Sequence, residues 1–148
     1  MRWFRIGCLP ALLAASACGS SGPAGPGPSP TPTPTPAPVR TVLATKALTL
    51  PGGTTASETV DNVPAGAVDV RLTWDEAAVD LNLYVTDTNC SSIVEVLGGS
   101  CRVLGQATAA ARPEVVTFTA AAIANYQVWA RNVSGASQAA TLEVGVTR

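Results

Sequence analysis

Ten carboxylate side chains, four cysteines and no histidine set the chemistry open to this 148-residue chain. Lysine occurs once, at Lys46, so the groups most often used as general bases near neutral pH are almost missing. A Ser-His-Asp set cannot be assembled, and paired carboxylates for glycoside cleavage look no different here from surface acids. We assign no catalytic residue and expect no enzyme. A small hydrolase is the reading with least support.

The cysteines do suit particular chemistry. Cys90 and Cys101 enclose ten residues that include Gly98-Gly99, flexible enough for the two ends to meet. A disulfide is the favoured reading, worth about 2 to 3 kcal/mol through loop-closure entropy. Zinc would need two further ligands from a chain without histidine, and a redox pair would normally be spaced C-x-x-C. With that bridge made, Cys18 stands as an unpaired thiol in a chain bound for an oxidising compartment.

Oxygen ligands gather in one region: Asp75, Glu76, Asp80, Asn82 and Asp87. A calcium site needs six to eight oxygens, several of them carboxylate, but neither an EF-hand nor a glycine-rich repeat orders these residues. A solvated acidic loop is the favoured reading. The expectation is therefore no metal and no cofactor, with calcium the one ion that these side chains would suit. Two aromatics, Tyr84 and Trp129, alternate outward from their strands. An outward Trp can stack on a sugar or anchor a protein, so they are the candidate ligand-binding residues, although such a side chain is often packed under a loop.

The elements that position these groups centre on Ala67 to Asp87. In AVDVRLTW the side chains Val68, Val70, Leu72 and Trp74 alternate with Asp69, Arg71 and Thr73, and in VDLNLYV the side chains Val79, Leu81, Leu83 and Val85 alternate with Asp80, Asn82 and Tyr84. Period-two alternation predicts two half-buried strands, with Asp75 to Ala78 as the turn between them. Val39 to Leu50 reads as a first strand closed by Pro51-Gly52-Gly53. Ser92 to Gly98 reads as a short strand with no helix there, and Arg102 to Gly105 as another. In Pro113 to Ala120, Val116 and Phe118 share a face. Two strong strands close the chain, with Tyr126, Val128 and Ala130 alternating in one and Leu142, Val144 and Val146 in the other. Seven to nine short strands predict an all-β fold, an antiparallel, jelly-roll-like β-sandwich over residues 39–148.

Ahead of it the chain is of another kind. Residues 1–17 have a basic start, an apolar run from Ile6 to Ala15 and a small-residue end, which is an export signal peptide too short to span a bilayer. Ala15-Ser16-Ala17 satisfies the A-x-A rule for ordinary cleavage, whereas LAASAC is similar to a bacterial lipobox with Ala15 where Leu is usual. Lipidation of Cys18 is favoured because it gives that thiol a role and because a tether follows it. Residues 18–38 form that disordered Pro/Thr/Gly-rich linker. Alternating prolines from Ser29 to Pro38 bar helix and sheet and favour polyproline II. At about 3.1 Å per residue, residues 19–38 would reach on the order of 60 Å. Without Arg2 and Arg5 of the leader, seven basic side chains face ten acidic ones, scattered singly, which excludes nucleic acid as a partner.

With those residues in view, the chain resembles the bacterial pre-peptidase C-terminal domain family. LTWDEAAVDLNLYV is similar to that family's W-x(n)-DLDLYV core, with Asn82 where Asp is common. NYQVWARNVSG followed by ATLEVGV is similar to its closing Y-x-V-x-V-x-N-x-S-G hairpin. The resemblance covers Gly66 to Val146 and implies a β-sandwich accessory module without catalysis. Taken together, the sequence predicts an exported, membrane-anchored lipoprotein on the periplasmic or surface side, partnered by the membrane through its lipid and by a protein or polysaccharide through its domain. A secreted binding domain is the alternative.

Overall fold

The structure, a computed structural model, describes residues 35–148. The leader, Cys18 and most of the linker lie outside the described residues. Eight strands and one helix follow in order: β1 (Arg40–Leu50), β2 (Thr55–Val63), β3 (Gly66–Thr73), β4 (Leu81–Asp87), α1 (Ile93–Gly98), β5 (Val103–Ala107), β6 (Glu114–Ala120), β7 (Ala124–Asn132) and β8 (Gln138–Thr147). They form two four-stranded sheets, β1-β8-β3-β6 and β2-β7-β4-β5. Every neighbouring pair is antiparallel. The all-β sandwich that the alternation predicts is the observed fold.

Burial follows the alternation. Val68, Val70 and Leu72 of β3 and Leu142, Val144 and Val146 of β8 face Leu81, Leu83 and Val85 of β4 and Val128 and Ala130 of β7, and Trp74 closes one end. Each such aliphatic side chain contributes about 1.5 to 3 kcal/mol by leaving water. β1 is an edge strand whose first half is exposed on both faces. Its Lys46 pairs with Glu58 at 3.2 Å, and a charge in mid-strand deters pairing with another chain. At its start, Arg40 reaches Asp69 at 2.6 Å and Glu143 at 2.7 Å, linking β1, β3 and β8.

Two expectations from local pattern change. Strands β3 and β4, on either side of the acidic turn, lie in opposite sheets, and so do β7 and β8. The closing pair is therefore a crossover between sheets and no hairpin. Only β4 and β5 are consecutive strands of one sheet. The second change is Ser92 to Gly98, which is helix α1 and not a strand. Ser92 caps it by accepting from the Glu95 amide, Glu95 reaches back to the Ser92 amide at 3.2 Å, and Gly99 ends it at φ 68°. That reciprocal cap outweighs the β-branched residues within.

Candidate functional site

One end of the sandwich is built from chain segments far apart in sequence. The turn after β7 folds onto the start of β4: the Asp80 amide donates to Ser134 Oγ at 2.7 Å, and the Val133 amide donates to the Asp80 carbonyl at 3.1 Å. Asn132, fully buried, organises this end. Its Nδ2 donates to the carbonyls of Leu50 (2.9 Å) and Ala136 (2.7 Å), and its Oδ1 accepts from the Ser134 amide at 2.9 Å. The Trp74 indole N–H donates to the Val79 carbonyl at 2.8 Å. Gly52 lies so close to Gly135 that a Cβ on it would stand within bonding distance of that carbonyl, so the two turns meet only because glycine occupies the contact.

Beside this scaffold sits Glu114, the first residue of β6 and only 2% exposed. Neither of its carboxylate oxygens meets a donor, and Asp80 Oδ1 and Asn82 Oδ1 are likewise buried without one. Asn82 turns its Nδ2 towards the Tyr84 hydroxyl at 3.4 Å. Burial pushes the Glu114 carboxyl up to about 7, and the negative charge of Asp80 adds to the rise. Asn82 lies on the outer face of β4 beside Tyr84, whereas Glu114 belongs to the inward row of β6, so these acceptors stand on different faces of the sandwich.

The five acidic and amide candidates divide. Asp80 and Asn82 belong to this end, while Asp75 and Glu76 stand exposed in the preceding turn, where Arg112 donates to the Asp75 carbonyl at 2.7 Å. Asp87 is at the far end of β4, roughly 20 Å from Asp80 at about 3.3 Å per residue. There it lines a cavity of about 320 Å³ with Arg102, Leu104, Phe118, Asn125 and Tyr126. The five therefore do not form one cluster. Among the described residues, no three of His, Cys, Asp and Glu gather to hold a metal by themselves.

Tyr84 and Trp129 do lie on the sheet face opposite the core, yet neither meets solvent. They are 5% and 6% exposed, packed with Cys90 and Val96 beneath Ile93, Cys101 and Val103. The Trp129 indole N–H donates to Thr86 Oγ1 at 3.1 Å. Their assignment as ligand-facing aromatics is corrected: α1 and the Cys90–Cys101 disulfide, whose Cα atoms are 5.6 Å apart, cover them. Glu95, which fixes that cover, accepts from the amide and hydroxyl of Ser91 and the amide of Ser92. Those bonds, the Ser91 amide foremost, hold its carboxyl below the usual carboxylate range.

No family model matches the chain, and no curated protein matches it. Solved structures do resemble it. The pre-peptidase C-terminal domain of collagenase from Bacillus anthracis aligns with a TM-score of 0.53 at 14% identity, over 70% of this chain and 89% of that one. Yersinia pseudotuberculosis-derived mitogen aligns with a TM-score of 0.54 at 13% identity, over 73% and 87% respectively. Identities this low speak for the fold alone: the domain is a β-sandwich like the pre-peptidase C-terminal domain.

Proposed function

We propose that the chain is an exported, non-catalytic accessory module, anchored to a membrane by lipid on Cys18 and offering its β-sandwich to a protein or polysaccharide outside the cytoplasm. The observation that carries this reading is the order LAASAC, proline-rich stalk, sandwich, which supplies an anchor, a spacer and a folded head in sequence. Likeness in fold to an accessory domain supports the non-catalytic part, as does a chain without histidine. In a bacterial host grown with labelled palmitate, the full chain takes up label and sediments with membranes. Cys18→Ala loses both. If Cys18→Ala keeps label and membrane fraction, the anchor reading fails. Ala15-Ser16-Ala17 favours a second reading, ordinary cleavage to a secreted binding domain, and this predicts an unlabelled soluble wild type.

A further inference from the structure

At the end of the sandwich opposite Asn132 and Glu114, the inward rows of three strands run out into an open cavity instead of into core. Asp87 continues the row of Leu83 and Val85, Tyr126 the row of Val128 and Ala130, and Phe118 follows Val116. Asp87 stands directly across from Tyr126 in the register of β4 with β7, and the Tyr126 ring meets the Phe118 ring edge-on at 4.9 Å. Leu104 extends this wall, Arg102 and Asn125 line the cavity from exposed positions, and about 320 Å³ lies between them. On the side of the β6–β7 turn the lip is Ala121, Ala122 and Ala124, whose side chains are too short to close it. The polar groups here have capacity to spare. Among the described residues the ion pairs are those of Arg40 with Asp69 and Glu143 and of Lys46 with Glu58, which leaves Arg102 without one. Asp87 accepts from the Asn89 amide at 3.1 Å, a single bond for a group that can accept about four. Asn125 Oδ1 accepts from the Asn62 amide at 2.8 Å, so Nδ2 is the end left to donate. Asn62 holds φ 55° where β2 breaks register with β7, and that uncommon conformation is what aims its amide at Asn125.

We propose that this cavity is a saccharide site that takes one or two rings of a neutral sugar chain, an inference that rests on the reading of the domain as an extracytoplasmic binding module and chooses polysaccharide over protein. An acceptor-only carboxylate, Asp87, shares the space with a donor-only guanidinium, Arg102, and with the free amide end of Asn125. A simple anion would confront Asp87, and a simple cation would confront Arg102. Neighbouring sugar hydroxyls both donate and accept, so they serve all three groups at once. The apolar face of a ring suits the wall of Phe118, Tyr126 and Leu104. A cavity of about 320 Å³ fits a small ligand, whereas a protein partner needs about 800 Å² of surface on each side. The alanine lip leaves the mouth open for the rest of a sugar chain to continue outward.

The full chain carrying Cys18→Ala, and so free of lipid, is titrated with cellobiose, maltose, lactose and the N-acetylglucosamine dimer, and binding is read by saturation-transfer NMR with irradiation of the aromatic protons. At least one of these binds with a Kd of about 1 mM or tighter. Arg102→Ala and Asp87→Asn each weaken that binding about tenfold or more, and because both positions reach solvent the melting temperature stays in place. Ala122→Trp fills the mouth and abolishes binding. Arg71→Ala, an exposed arginine of the other sheet, leaves it unchanged. Absence of saturation transfer to every sugar at about 10 mM overturns the site. So does binding that survives both Arg102→Ala and Asp87→Asn, or a cavity that takes free glutamate and none of the sugars. The anchor reading is decided separately by the palmitate label of the wild type, so failure of the one is not mistaken for failure of the other.

Discussion

Glu114→Gln should flatten the dependence of stability on pH. The carboxyl titrates near 4.5 in the unfolded chain and near 7 in the fold, chiefly through burial and secondarily through Asp80. Between those values the folded state holds the extra proton. The stabilising contribution is thus fully present below pH 4.5 and is lost as the pH rises through about 7. At most about 1.4 kcal/mol is at stake for each pH unit between the two values, and with solvent screening part of the charge the wild type forfeits about 1 to 3 kcal/mol over that window. For a compact unit spanning Pro36–Arg148, this corresponds to about 4 to 12 °C in melting temperature. Gln keeps the shape and never ionises. Melts of both proteins, followed by circular dichroism from pH 4.5 to 8.5, should converge in acid, with the variant about 4 to 12 °C more stable at the alkaline end. Parallel curves would refute the reasoning, because they would mean that Glu114 titrates alike folded and unfolded.

Two further outcomes follow from the same geometry. Asn132→Ala leaves the Leu50 and Ala136 carbonyls without their donor and the Ser134 amide without its acceptor, and should cost about 2 to 4 kcal/mol in urea unfolding; a loss under about 1 kcal/mol would show that this end is wetter than described. Replacing Cys90 and Cys101 together by Ser should cost about 2 to 3 kcal/mol and shift Trp129 emission to the red as the α1 cover loosens, with the β-sheet spectrum retained. A wild type in which Cys90 and Cys101 are both titratable after non-reducing purification would sink the bridge itself.

Much of the body was legible because alternation is a local signal. Val68, Val70 and Leu72, then Leu81, Leu83 and Val85, declare an inward face to any reader of the chain, and the structure buries them. Which sheet a strand joins is set by pairing across the whole domain, so the crossing of β3 to β4 and of β7 to β8 had no local signature. Helix α1 did have one. Ser92-x-x-Glu95 is a capping box, but Ile93, Val94 and Val96 made the segment resemble a strand. The outward face of Tyr84 and Trp129 was likewise readable, while their cover was not, because it comes from a helix and a disulfide loop inserted between β4 and β5. Asp80 and Asn82 stood out as polar residues of a strong strand. Glu114 was overlooked although its signal was present: the parity that places Val116 and Phe118 on one face places Glu114 there too.

That overlooked parity makes Glu114 informative. The inward row of β6 is otherwise Val116, Phe118 and Ala120, and an aliphatic residue at 114 would fill the same space without stranding two oxygens. A fold selected for stability alone gains nothing from a carboxylate buried there, since the negative charge of Asp80 only deepens the penalty. The topology sharpens the point. Asp80 follows the crossing from β3 to β4, Glu114 follows that from β5 to β6, and Ser134 lies on that from β7 to β8, so three separate sheet-to-sheet connections close over one end. A substitution at that end therefore acts on the spacing of the sheets rather than on a single loop, and its effect should register in global unfolding.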